Sequence, residues 1–414
     1  MTDAANSREI RTIDLFAGCG GLTEGFRSFR PEGSTRSPYH PVAAVEMEHW
    51  AASTYLANFG ADESAVDGSR VKVTWGKIES WDPRPFAGGA EVILGGPPCQ
   101  GFSGLGNGDP KGEKNHLWQE YVSVVQTVKP KVFVMENVDR FLRSPEYEAM
   151  HEASKRGGAL EDYHIETKVL NAADYGVAQR RRRVIVLATR HDLVEERGIP
   201  LLHPVATHAK PVKGEPAVSS DVNCKPWVTV GESVFASTRN LVVDRLDLPA
   251  RSCENWDKVL PGPFRTSELH IGRQPTEHSL RRYRAIPEGG NRHDLPEELS
   301  TPNWIGHKSG SGDVMGRLRL NEPSVTIRTE FYKPEKGRYL HPTKDRPITH
   351  LEAAMIQGFP MDFKWCGSKA QIARQIGNAV PIGLGHVLAQ RVYEYLTGTG
   401  DFAGPYQPMF PTLG

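Results

Sequence analysis

The sequence predicts an α/β protein built on a doubly wound, mostly parallel sheet, in which the sheet domain is interrupted by an inserted domain and completed by the C-terminal stretch. Three observations predict it. A strand, a glycine loop and a helix follow one another over residues 10–29, and short apolar strands then alternate with helical stretches as far as residue 188. After about residue 192 that alternation gives way to mixed segments rich in proline and glycine. Alternation of this kind belongs to a parallel sheet covered on both faces.

The composition sets the outer bounds. A chain of 414 residues is long enough for two domains with a full-sized core. Lys plus Arg and Asp plus Glu are 50 each, so a nucleic-acid partner has to be met by a local patch rather than by global charge. The five cysteines (Cys19, Cys99, Cys224, Cys253 and Cys366) are odd in number, scattered and free of CxxC spacing, which predicts a reducing compartment and no zinc cluster. The first residues, MTDAANSREI, carry no hydrophobic signal region, and no apolar run nears membrane-spanning length, so a cytoplasmic location is expected.

The first strand, Ile10–Phe16, runs into Ala17-Gly18-Cys19-Gly20-Gly21 and then a helix with apolar residues at Leu22, Phe26 and Phe29. Backbone amides at such a helix start face a polar ligand. Thr23 stands where GxGxxG has its third glycine, which disfavours a dinucleotide and suits a smaller adenosyl ligand. A second strand, Pro41–Val45, ends in Glu46, placed to accept hydrogen bonds from both hydroxyls of a ribose. Val71–Ile78 reads as a third strand.

The next strand, Ala90–Leu94, ends in Gly95-Gly96-Pro97-Pro98-Cys99-Gln100-Gly101-Phe102-Ser103. A lone cysteine is more often a buried structural thiol. Here two prolines fix the backbone before Cys99 and three glycines let another molecule approach, which favours a nucleophile. Residues Gly101 to His116 form an aperiodic, glycine-rich loop, the candidate lid. The helix Leu117–Val128 and the strand Lys131–Met135 follow, so that Glu136-Asn137-Val138 falls on the same sheet edge as Cys99 and Glu46. In a last strand pair, Val169–Gly176 leads into Gln179-Arg180-Arg181-Arg182-Arg183 and the strand Val184–Ala188. Alternation sends Arg181 and Arg183 to one face and Arg180 and Arg182 to the other.

In the order DLFAGCGG, Glu46, GGPPCQGFS, Glu136-Asn137-Val138, GVAQRRRRV, RPITHLEAAMIQGFP and QIGNAVP, these blocks span residues 14 to 381. The chain thereby resembles the C5-cytosine-specific DNA methyltransferases of bacterial restriction-modification type. The resemblance implies a Rossmann-like, S-adenosylmethionine-dependent methyltransferase domain over residues 1–191, an irregular, β-rich target-recognition domain over 192–361, and a return to the first domain over 362–414. It implies Cys99 as the nucleophile on carbon 6 of cytosine and Glu136 as the acid at ring nitrogen 3. Arg181 and Arg183 fit the family's Q-x-R-x-R spacing, with Arg183 the better candidate for touching the base. Phe16, Gly18, Gly20, Gly21, Glu46, Met47, Ile78, Pro98, Asn378 and Val380 fall at positions lining the S-adenosyl-L-methionine pocket or its rim, and no metal is implied. The implied partner is double-stranded DNA, with a cognate restriction endonuclease acting on the same site, no membrane, and a monomeric enzyme.

Two departures from the family pattern stand near the cofactor. Lys77 follows Gly76 where an acidic residue is usual, and Met47 follows Glu46 where an aromatic often does. From Arg251 to Arg346 the inserted stretch carries 17 Lys or Arg against 13 Asp or Glu, a net of +4, with Tyr283, Trp304, Phe331 and Tyr332 interleaved, in keeping with a surface that follows phosphates. An RNA cytosine-5 methyltransferase would share the chemistry, although the sizeable insertion suits duplex DNA better. A catalytically inactive DNA-binding relative would be expected to lose Cys99, Glu136 or the arginines, and a nicotinamide-dependent oxidoreductase would want the third glycine. The final helix, expected from about Ile382 to Thr397, presents Leu384, Val387, Leu388, Val392 and Leu396 for packing against the sheet beside the first strand.

Overall fold

A computed structural model describes residues 8–60, 70–98, 117–211, 224–306 and 312–400. The elements of the first domain are β1 (Ile10–Leu15), α1 (Gly21–Ser28), β2 (Tyr39–Glu46), α2 (His49–Phe59), β3 (Lys72–Trp75), β4 (Val92–Gly95), α3 (Leu117–Val128), β5 (Val132–Asn137), α4 (Pro145–Ala153), β6 (Tyr163–Asn171), β7 (Arg182–Arg190) and α5 (His191–Arg197). The strands form one seven-stranded sheet in the order β3-β2-β1-β4-β5-β7-β6. Neighbours from β3 to β5 pair in parallel, and β7 runs against both β5 and β6. The strand order reverses between β1 and β4, which in an open sheet opens a crevice at the carboxyl ends of those strands.

The strands read as near-continuous apolar runs because both faces are covered. Val92, Leu94, Val132 and Val134 face α1 and the last helix, Ile382–Thr397, while Ile93, Phe133 and Met135 face α3 through Tyr121 and Val125. That last helix buries Leu384, Leu388, Val392 and Leu396. It meets α1 so closely that a Cβ on Gly25 would lie 2.6 Å from the Gly385 Cα, so a larger residue at either position would push the helices apart. The expected strand over Val169–Gly176 stops at Asn171. Ala172–Tyr175 is instead a turn of 3-10 helix, closed by Gly176 at φ 81°.

The inserted stretch is irregular, and its strands are only two to four residues long. Proline and glycine limit ladder formation here, and buried arginines take over the pairing of stray carbonyls. Arg317 donates to the carbonyls of Tyr283, Ile286, His341 and Lys344. Arg338 donates to those of Gly289, Gly290, Gly312 and Arg317. Around them Tyr283, Ile286, Leu295, Leu299, Met315 and Leu340 make a small core of their own. The insertion joins the rest of the chain where Phe264–Arg265 pairs antiparallel with Lys364–Trp365. There Phe359, Phe363 and Trp365 pack together, and Phe363 meets Phe59 of α2. Among the described residues no helix is long and apolar enough to cross a membrane.

Candidate active site

The sheet register builds one rim. Leu15 lies opposite Val45 and Gly95, and Gly95 opposite Met135, so β1, β2, β4 and β5 end together. Because β7 is antiparallel, it begins where they end, with Ile185 opposite Glu136 and Val184 opposite Asn137. The arginine run is thereby delivered to the edge that carries Glu136.

Arg183 Nε stands 2.6 Å from Glu136 Oε1, both side chains being largely buried. The carboxylate also lies against the start of the proline turn, since a Cβ on Gly96 would be 3.2 Å from Glu136 Oε2. Asn137 fixes that turn: its Nδ2 donates to the Pro97 carbonyl at 3.0 Å while its Oδ1 accepts from Val138 N at 2.9 Å. Pro97 is buried and Pro98 half-buried. Cys99 and the loop Gly101 to His116 lie outside the described residues.

Arg181 and Arg183 do point inward, and Arg180 and Arg182 outward, but the inward pair part company. Arg181 is 1% exposed and sits in the interior rather than on the rim. It donates to the carbonyls of Ile327 and Gly377, each at 2.9 Å, and to that of Asn378 at 3.4 Å. Burial, with Arg183 adding repulsion, lowers its pKa to about 9. Gln179 is equally buried. Its Nε2 donates to Gln357 Oε1 at 2.7 Å, and its Oε1 accepts from Ile327 N at 2.9 Å. The entry to β7 is thus tied at once to the inserted stretch and to the turn before the last helix. Outside, Arg182 pairs with Asp139 and Arg180 with Glu322.

On the other side of the switch point, Phe16 and Gly18 both adopt positive φ, 56° and 55°. The space a Cβ would take on Gly18 is open, whereas on Gly20 it would run into the Phe59 ring. Glu46 accepts from Gly18 N through Oε2 at 2.8 Å and from Glu48 N through Oε1 at 2.7 Å. Burial raises its pKa against those two hydrogen bonds. Each oxygen keeps a further lone pair. Met47 is 56% exposed beside it, Ile78 is buried, and Lys77 is exposed at the head of the turn Ile78–Ser80. The loop and the chain's return meet at Gly21, where a Cβ would be 3.0 Å from the Ala379 Cβ and from the Val380 carbonyl. Asn378 is exposed at the end of the helix Lys369–Asn378.

Two buried groups near this site escaped the reading of the sequence. Asp14 in β1 accepts from Thr23 Oγ1 at 2.5 Å, and Thr23 Oγ1 lies 3.0 Å from the Tyr55 hydroxyl. An aspartate inside an apolar strand was the available signal, because a buried carboxyl needs a partner. Thr23, which displaces the third glycine, is that partner. Cys19 in the glycine loop is buried, with its thiol pushed up to about 12, as suits a structural residue.

Comparison with known proteins bears on the family through sequence and on the fold through structure. The chain is 30% identical over 381 residues to the Type II methyltransferase M.NgoFVII of Neisseria gonorrhoeae, covering 91% of this chain and 84% of that one. It is 29% identical over 409 residues to M.DdeI of Desulfomicrobium norvegicum, covering 93% and 89%. In fold it is similar to a prophage-encoded E. coli protein described as a DNA modification methyltransferase, with TM-score 0.62, 20% identity and coverage of 94% and 100%. It is also similar to DNMT2 of Spodoptera frugiperda, with TM-score 0.52, 18% identity and coverage of 93% and 100%. The family model for C-5 cytosine-specific DNA methylases matches residues 10–394, and the chain belongs to that family.

Proposed function

We propose that this DNA (cytosine-5-)-methyltransferase takes its methyl group from S-adenosylmethionine and delivers it to a cytosine flipped out of duplex DNA, by way of a covalent bond between Cys99 and carbon 6. The observation that carries the reading is the convergence of Glu136, Arg183 and the Pro97–Pro98 turn on one rim. Carbon 5 of cytosine is too weak a nucleophile to react unaided. Addition of the Cys99 thiolate at carbon 6 makes it enamine-like, dividing one hard step into easier ones. Glu136 delivers a proton to ring nitrogen 3 as the adduct forms, which avoids a full carbanion. Once carbon 5 carries the methyl group, a base removes the carbon-5 proton, the bond from carbon 6 to Cys99 breaks as the ring double bond is restored, and Glu136 takes its proton back. Arg183 orients Glu136 and faces the base, whereas Arg181 acts from the interior, holding the start of β7 to the end of the helix Lys369–Asn378.

The residues on the other side fit an adenosyl sulfonium. Glu46 has acceptor capacity left for two ribose hydroxyls, Met47 and Ile78 offer apolar surface for a purine, and Gly18 leaves open room. Glu46, a buried carboxyl bonded to the loop at Gly18, disfavours a pyrophosphate and suits a cation. The cofactor supplies an electrophilic methyl group. Phe16, Gly20, Gly21, Pro98, Asn378 and Val380 complete its surroundings.

A base inside a duplex cannot enter such a site, so the target is extruded. The stretch 192–361 reads the sequence around it. The enzyme acts as a monomer in the bacterial cytoplasm, alongside a restriction endonuclease specific for the same site. The decisive experiment is bisulfite sequencing of DNA from cells expressing the protein or Cys99→Ala. New 5-methylcytosine at one recurring sequence is expected with the wild type and none with the variant, whose DNA binding is retained. Methylation by Cys99→Ala would remove the nucleophile assignment, and methyl transfer to RNA in preference to duplex DNA would reverse the substrate.

A further inference from the structure

The inserted stretch sends one hairpin, Ser252–Asn255 paired with Lys258–Pro261, across to the first domain. Its two turn residues, Trp256 and Asp257, both have positive φ, 49° and 58°. A two-residue turn with this geometry favours Asn and Gly, and a tryptophan in left-handed backbone is held there by what its ring packs against. The Trp256 ring lies 5.9 Å from His49 and 6.1 Å from Trp75, and those two rings are 4.8 Å apart. Lys258, on the second strand, places its Nζ 4.4 Å from the centre of the Trp75 ring.

Both of the first-domain residues in this cluster govern the segment that carries Glu46. Trp75 Nε1 donates to the Met47 carbonyl at 3.0 Å. The next residue, Gly76, donates its N–H to the Glu46 carbonyl at 3.0 Å. His49 opens α2 directly after Glu48, whose N–H holds Glu46 Oε1. The ring of His49 is anchored to the hairpin in turn, its Nε2 lying 2.9 Å from the Asn255 carbonyl and therefore donating to it. The hairpin thus braces residues 46–49 from outside, at the end of β2 where Met47 leaves the cofactor side open.

We infer that Trp256 is a positioning residue for the cofactor: the aromatic cluster Trp256–His49–Trp75 fixes the Glu46–Met47 lip, so that part of the inserted stretch sets cofactor affinity as well as meeting DNA. The inference rests on the cofactor reading above. Asn tolerates left-handed backbone, so Trp256→Asn keeps the turn and deletes the ring, and Trp256→Phe retains an aromatic. The test titrates S-adenosylmethionine into the full-length wild type and both variants by calorimetry, with kcat, KM for the cofactor, DNA affinity and melting temperature measured alongside. For Trp256→Asn, cofactor Kd and KM are expected to rise about fivefold or more, the loss of a ring-packing contact. Its kcat at saturating cofactor and its DNA affinity should stay within twofold of wild type, and Trp256→Phe should recover most of the loss. A Trp256→Asn protein that melts like the wild type and binds the cofactor equally well overturns the inference. So does a variant whose kcat and DNA affinity fall along with cofactor binding, since that marks a merely structural role. Failure of the wild type itself to bind S-adenosylmethionine strikes the cofactor reading instead.

Discussion

Arg183 Nε and Glu136 Oε1 are 2.6 Å apart on neighbouring antiparallel strands. The antiparallel turn of β7 is what makes the pair: a parallel strand there would have carried its first residues to the opposite edge. Local geometry therefore links the one reversed strand of the sheet to the chemistry at its rim.

Glu136→Gln keeps the volume and removes both the charge facing Arg183 and the proton carrier. Its kcat is expected to fall about 100-fold or more, the usual scale for a general acid, with cofactor affinity unchanged. Single-turnover methylation and cofactor titration on one preparation decide the matter. Equal losses in rate and in cofactor affinity would contradict the assignment. Arg183→Lys should be intermediate, because an ammonium supplies charge without the planar fork.

Arg181→Met tests the interior role. The substitution strips donors from the Ile327, Gly377 and Asn378 carbonyls in a buried place, where each lost partner costs about 1–3 kcal/mol. Thermal unfolding should shift down by several degrees, and bound cofactor should recover part of the shift by mass action. A variant that melts with the wild type but cannot methylate would mean that Arg181 acts on substrate instead.

The alternation of strands and helices was legible because sheet burial leaves a local signature. The helix Leu117–Val128 stands at its expected residues, and the shared edge of Glu46 and Glu136 follows from strand order. What escaped depends on distant partners. Arg181 and Arg183 have the same residue type and parity, yet Arg181 is claimed by carbonyls 146 and 196 residues away, and no local pattern distinguishes them. Thr23 read as a missing glycine because its partner, Asp14, lies one strand back across the loop. The inserted stretch was the least legible, since Arg317 and Arg338 organise it through backbone carbonyls, which carry no sequence identity.

Glu46→Gln probes the lip directly. The carboxylate accepts from two backbone N–H groups, one on each oxygen. A carboxamide has only one acceptor oxygen, so one N–H would face an NH2 group. Cofactor KM is expected to rise about tenfold, the consequence of losing one charge-assisted hydrogen bond of roughly 1.5 kcal/mol, with kcat at saturation changed much less. Steady-state kinetics over a range of S-adenosylmethionine concentrations separates the two, and a fall in kcat alone would place Glu46 in the chemical step rather than in binding.

Asp14 gives the protein a pH dependence of defined sign. Burial pushes its pKa from 3.8 up to about 7, with the Thr23 hydrogen bond opposing and the nearby Glu46 charge adding. Between those two values the folded protein keeps a proton that the unfolded chain releases. The group's contribution to stability is therefore fully present below about pH 4 and is lost as pH rises through about 7. A shift of about three units corresponds to roughly 4 kcal/mol, an upper bound because local relaxation and water entry reduce it. Asp14→Asn removes the titration and can still accept from Thr23 through its carbonyl oxygen. The variant is expected to be clearly more stable than the wild type at pH 8, with the gap narrowing steadily towards pH 5. Denaturant unfolding of both proteins across that range measures the gap. Because the other raised carboxyls, Glu46 and Glu24, are common to both, they largely cancel in the difference. A gap that stays constant from pH 5 to pH 8 would mean that Asp14 is ionised throughout, and the Thr23 hydroxyl would then be holding a carboxylate.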